Sequence, residues 1–263
     1  MSHQDKVIVL THAARGFGRI LAEWFLELGA KVVVSDPHRN HLDALKHEHA
    51  KSKPHYHARA HYQHCDVGNE ASVRSLVAST VETFTVIDVV IFYAPVSDGH
   101  RAAGECETDH WHRVMSTGCH GPYHLAKHAL PHMQKQCKAR SGKNGGLFIN
   151  LCSTAGIKGA AAGAACTASQ HAMIGLTQNT ASSYGHEGIY AVSGVLGKMR
   201  ETVIEEVVVA TKERIDISLR IYSEESFVEE YAAAKHIASI CEGDNGKMLN
   251  GSTINMCGNW PAC

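Results

Sequence analysis

Short apolar runs alternate with longer amphipathic stretches along the whole chain. This rhythm predicts a doubly wound α/β domain with a parallel sheet of about seven strands. Val7–Leu10 and Lys31–Asp36 read as the first two buried strands. A third run approaches Cys65, Asp66 and Val67, and a fourth covers Asp88–Tyr93. Further strands are expected at Gly146–Leu151, Ile189–Val192 and Gly251–Met256. Helical periodicity fills the intervals, at about Arg19–Leu28, Glu70–Phe84, Asp109–Lys135 and Ala164–Tyr184. A polar, His-rich helix and loop follow the second strand. The stretch from 194 to 230 shows neither period and reads as a substrate lid. There is no repeat, no linker and no second domain, so residues 1–263 are expected to form one unit.

Composition narrows the function. A net charge of −1 argues against an electrostatic nucleic-acid binder. No apolar run reaches the ~18 residues of a membrane span. The first residues carry no signal-peptide pattern, and the nine cysteines are odd in number and scattered. Both features suggest a reduced, cytoplasmic protein rather than a disulfide scaffold. Twenty histidines are unusual, and four fall in the run His55, His57, His61 and His64. Imidazole suits Zn or Cu, but no Cys/His spacing matches a structural zinc pattern. The run reads as a solvated loop and strand face, and no metal site is expected.

Two motifs carry chemistry. Thr11-His-Ala-Ala-Arg15-Gly16-Phe17-Gly18 lies between the first strand and the first helix. Glycines there let the backbone approach a pyrophosphate at a helix N-terminus. Asp36 ends the second strand, where a carboxylate can hold both ribose hydroxyls. The other motif runs from Gly145 through Asn150-Leu-Cys-Ser153-Thr-Ala-Gly156 to Cys166-Thr-Ala-Ser-Gln170.

Together these segments resemble the short-chain dehydrogenase/reductase family over nearly the whole chain. The resemblance implies NAD or NADP as cofactor, bound weakly or vestigially, with contacts from Thr11, Arg15, Gly16, Phe17, Gly18, Asp36, Asp66, Val67 and Ala94. Asp36 favours NAD, and Arg15 favours NADP. The departures are as informative. The first glycine of the loop is His12, whose side chain is expected to crowd the adenosine end. The family's Asn-Asn-Ala-Gly turn reads Phe92-Tyr93-Ala94-Pro95. Its Pro-Gly near the nicotinamide falls on either Ser193-Gly194 or Leu196-Gly197. Of the catalytic Asn, Ser, Tyr and Lys, only Ser153 matches, for Gly118, Cys166 and Gln170 stand at the other positions. Tyr93, His120, Lys198, Arg200 and Glu201 are polar groups available for recruitment, and Cys166 is expected to enlarge the pocket rather than act as a nucleophile.

The expected function is therefore a non-redox enzyme of specialised metabolism, a cyclase, isomerase or Diels–Alderase-like catalyst whose pocket preorganises a small molecule. Two alternatives stand beside it: an NAD(P)H-dependent oxidoreductase with substituted catalytic residues, and a non-catalytic partner subunit. The family resemblance also implies a homo-dimer or homo-tetramer.

Overall fold

The computed structural model describes residues 3–96, 98–140, 145–199 and 227–258. Its centre is one parallel sheet of seven strands in the order β3-β2-β1-β4-β5-β6-β7. The strands are β1 (Val7–Leu10), β2 (Lys31–Asp36), β3 (Ala60–His64), β4 (Val89–Phe92), β5 (Gly146–Ser153), β6 (Ile189–Leu196) and β7 (Thr253–Met256). The helices are α1 (Gly16–Glu27), α2 (Arg39–Ser52), α3 (Glu70–Phe84), α4 (Thr108–Met115), α5 (Gly121–Ala139), α6 (Ala164–Tyr184), α7 (Glu230–Ile240) and the single turn α8 (Asn245–Met248). β1 pairs with β2 on one side and β4 on the other, with Leu10 opposite Val34 and Ile91. The winding reverses between β1 and β4, which opens a crevice at their carboxyl ends.

Strand alternation decides the layers. Ile8 and Leu10 face one core with Phe17, Leu21 and Phe25 of α1 and Ala234 and Ile237 of α7. Val9 and Val33 face the other, with Val73 and Leu76 of α3, Leu125 and Met133 of α5, and Met173 of α6. A near-continuous apolar strand is what a sheet covered on both faces requires.

Several expected boundaries shift. The third strand, expected to approach Cys65, is residues 60–64, which pair with Val32–Asp36. The long helix expected from 109 to 135 is interrupted by a wide turn at Ser116–His120. β6 continues to Leu196, paired to β5 and β7, so the irregular stretch does not begin at Gly194. Most of the expected lid, 200–226, lies outside the described residues, as do Arg200 and Glu201.

A charged cluster joins α1 to α2. Glu23 accepts from Arg19 Nε (2.7 Å), Lys53 Nζ (2.8 Å) and His49 Nε2 (3.1 Å), while His49 Nδ1 meets the Tyr62 hydroxyl at 2.6 Å. The bond from His49, aided by Lys53 and Arg19, holds the Glu23 carboxyl well below the usual carboxylate range despite the cost of burial. A depressed folded pKa means stability present above the unfolded value of about 4.3 and lost as pH falls below it. Glu23→Gln is therefore expected to cost about 2 kcal/mol at pH 7. Urea titrations at several pH values should show that difference shrinking below about pH 4. A difference that is constant with pH would show that the charge of Glu23 is not what stabilises the α1–α2 contact.

Candidate active site

The crevice is built first by Thr11, at the end of β1. Its hydroxyl donates to the Tyr93 carbonyl (2.7 Å) and accepts from the Tyr93 N–H (2.9 Å), tying the carboxyl ends of β1 and β4. Phe17 packs edge-on against Tyr93 with ring centroids 5.6 Å apart. Gly16 sits at φ 54°, and a β-carbon on Gly18 would lie 2.0 Å from the His12 carbonyl oxygen. No side chain caps the N-terminus of α1, where Arg15 is the exposed N-cap. Those features fit the phosphates of a dinucleotide, which need close backbone approach and open N–H groups.

The ribose end fits less well. His12 adopts φ 49°, a conformation that costs a residue with a β-carbon about 1 kcal/mol and glycine nothing. Burial pushes its imidazole down to about 4, against the pull of the Asp36 carboxylate, and Nδ1 is buried without a hydrogen-bond partner. Asp36 itself is only 1% exposed. Its oxygens accept from the His38 N–H (2.9 Å) and the Ala14 N–H (3.3 Å). A ribose can reach that carboxylate only after the histidines beside it move. The crowding expected from His12 is thus joined by His38 and His41, whose rings lie 5.0 Å apart.

At the other end of the crevice is a cavity of about 150 Å³. Its wall includes Tyr93, Ala94, Ser153, Cys166 and Gln170, so all four candidate catalytic residues meet there. Ser153 ends β5 with its side chain exposed to the cavity, and its N–H donates to Gln170 Oε1 at 2.8 Å. Ser153 Oγ accepts from the Ala155 N–H (3.2 Å), leaving its own hydrogen to donate. Cys166 Sγ donates to the Val96 carbonyl at 3.2 Å, which engages the thiol rather than activating it. Gly118 is buried in the wide turn, and a β-carbon there would stand 2.7 Å from Ser169 Oγ and 3.5 Å from Gln170 Nε2. Leu196 and Gly197 line the cavity, whereas Ser193 and Gly194 lie inside β6, which decides between the two readings of that turn. Lys198 also lines it.

Asp66 and Val67 follow β3 and take no part in the cavity wall. Asp66 accepts from the Gly68 N–H at 2.9 Å and is exposed, while Val67 is buried with its carbonyl 3.1 Å from His124 Nδ1. His120 is exposed in the wide turn, away from the cavity.

The sequence reading missed Asp98. The segment Ala164-Ala165-Cys166 holds no acid of its own, but the chain brings one there from the β4–α4 connection. Asp98 is 3% exposed and accepts three backbone N–H groups: His100 (3.0 Å), Gly163 (3.0 Å) and Cys166 (2.9 Å). A carboxylate at a helix N-terminus satisfies orphan donors and complements the dipole. No local pattern marks it, since two of its three partners, Gly163 and Cys166, lie more than sixty residues further along the chain.

Comparison with known proteins agrees with this architecture. The short chain dehydrogenase family profile matches residues 6–213. The chain is 27% identical to 3beta-hydroxysteroid dehydrogenase 2 of Eggerthella lenta, over 97% of this chain and 94% of that protein. It is 29% identical to secoisolariciresinol dehydrogenase of Forsythia intermedia, over 99% and 90% respectively. A short-chain dehydrogenase/reductase of Penicillium canescens, olcF, is 33% identical over 71% of this chain and 66% of its own length. Levodione reductase superposes with a TM-score of 0.83 at 24% identity, covering 97% of each chain, a likeness of fold. On the glycine loop, the sheet order and the extent of these matches, the chain belongs to the short-chain dehydrogenase family.

Proposed function

We propose that this chain is an NAD(P)-dependent oxidoreductase that interconverts a secondary alcohol and a ketone on a small, largely apolar molecule. The dehydrogenases and reductases among its relatives support this reading over the non-redox cyclisation expected from the sequence. The observation that carries it is Ser153, set at the mouth of β5 with an available hydroxyl hydrogen and facing a cavity that also contains Leu151, Leu196 and Met199.

When bound, the dinucleotide supplies or accepts hydride. The backbone of Gly16–Gly18 would hold its phosphates, and Asp36 its ribose once the neighbouring histidines swing aside. Ser153 donates a hydrogen bond to the substrate oxygen and polarises the carbonyl. The proton source is not the usual tyrosine, since position 166 holds a cysteine already bonded to Val96. Asp98 is engaged by three N–H groups. That leaves Tyr93, His100 and Lys198 among the described titratable groups of the wall. Histidine is the residue type best suited to exchanging protons near neutral pH, so His100 is assigned the role.

The test is a panel of cyclic and steroidal ketones with NADH and NADPH, followed by absorbance. Turnover should be measurable and should fall about 10²-fold or more in Ser153→Ala. Turnover that survives that change unaltered, or ketone panels without turnover when dinucleotide binding is demonstrated by calorimetry, would remove the redox reading.

A further inference from the structure

The carboxyl end of β2 gathers a set of ligating groups, of which the oxidoreductase reading uses only Asp36. One atom each from Asp36, His38 and His41 lies within 4.8 Å of the others. Asp36 comes from the strand, His38 from the turn and His41 from the first turn of α2, so three successive pieces of backbone converge. Asp36 is fixed in place, because each of its oxygens accepts a backbone N–H and keeps a lone pair to share. His38 Nδ1 lies 3.4 Å from Asp36 Oδ1, and the His38 side chain is half-exposed, so its ring can swing toward the carboxylate.

Two further atoms point to a ligand. His41 Nδ1 and His12 Nδ1 are both buried without a hydrogen-bond partner. Buried imidazole nitrogens are ordinarily paired, because an unsatisfied one costs about 1–3 kcal/mol. The run at 55–64 offers nothing comparable. His61 is bonded to Ser79, His64 to the Pro37 carbonyl, and His55 and His57 are exposed.

We infer that Asp36, His38 and His41 form a binding site for a borderline divalent cation of the zinc type. Two imidazoles and one carboxylate are the donor set such ions take, with the fourth position open to water. Bonds of about 2.1 Å require the three groups to close slightly on the ion, which the exposed ring of His38 allows. Backbone bonds to the Asp36 oxygens orient this ligand as a good metal site requires. Asp36 is also the carboxylate that the oxidoreductase reading gives to the ribose, so on that reading cation and dinucleotide exclude each other.

Chelator-treated protein is titrated with zinc chloride by calorimetry, and cobalt(II) is added in parallel as a spectroscopic probe. One zinc per chain is expected. His38→Ala and His41→Ala should each weaken it by at least about tenfold, and Asp36→Asn, which preserves shape, should do the same. Cobalt should give visible d–d bands without a sulfur charge-transfer band. The double change His55→Ala, His57→Ala should leave the titration unchanged. Zinc uptake indifferent to His38, His41 and Asp36, a thiolate band with cobalt, or no uptake at all would overturn the site. Melting curves of the cation-free variants confirm that each is folded. Zinc should also raise the dissociation constant for NAD in proportion to its occupancy. Zinc bound through the three named residues with no such effect would overturn the overlap. If NAD does not bind at all, the oxidoreductase reading fails while the zinc titration still decides the metal site.

Discussion

Replacing His100 with glutamine should lower the turnover of a responsive ketone by roughly 10²–10⁴-fold, the usual contribution of a general acid or base. His100 lies on the cavity wall with Ser153, after the Asp98 turn that anchors its backbone. Its own conformation, φ 53°, is one that few side-chain-bearing residues adopt, so the loop that presents it is closely specified. Loss of a proton donor should fall on kcat, with dinucleotide affinity unchanged within about twofold, since no cofactor contact is assigned to His100. The pH profile distinguishes this from a packing defect. The limb governed by the imidazole should vanish in His100→Gln and remain in Lys198→Met. If Lys198→Met or Tyr93→Phe abolishes that limb and His100→Gln does not, the proton passes through the other residue and the assignment of His100 fails.

Asp98→Ala should cost about 3 kcal/mol of stability. Three backbone N–H groups lose their acceptor together, and those of Gly163 and Cys166 are buried at the start of α6. A buried donor left unsatisfied costs about 1–3 kcal/mol, and the favourable interaction of a carboxylate with the helix N-terminus disappears as well. The damage should be local before it is global. Gly163 packs so closely that an added β-carbon would lie 2.5 Å from the Arg101 N atom, so the segment has little room to re-form its bonds. Cys166, 4% exposed in the native chain, should therefore react faster with a thiol reagent in the variant. Denaturation curves and labelling of Cys166 by mass spectrometry check both parts. A variant as stable as the parent, with Cys166 equally protected, would mean that the three bonds to Asp98 contribute nothing net.

The sheet was legible because its strands are buried on both faces, which writes them as continuous apolar runs such as Val32–Val34 and Val89–Phe92. β3 could be located only by its approach to Cys65, for the converse reason. It is an edge strand of Ala60–His64, half-buried and polar, with no apolar run to mark it. The wide turn at Ser116–His120 carries no proline and is set by packing across to Ser169, which no local pattern shows. Within the site, Ser153, Cys166, Gln170 and Tyr93 could be placed together because the family resemblance fixes their spacing. Asp98 could not, for it acts on α6 from a different segment. His38 and His41 were hidden in a different way. The run at 55–64 is written in the sequence itself, whereas convergence around Asp36 depends on how β2 hands over to α2.

The hydrogen bond from the Ser153 N–H to Gln170 and the contact of Gly118 with Ser169 restrict how this pocket could change. Lysine at 170 has no acceptor to offer the Ser153 N–H. Asparagine at 118 would drive its β-carbon into Ser169, whose hydroxyl is bonded to the Cys166 carbonyl. Each of these two single changes thus begins with a loss, and only a concerted set of changes at 118, 169 and 170 avoids it. The pocket behaves as an interlocking set, in which a change at one of these positions requires changes at its neighbours.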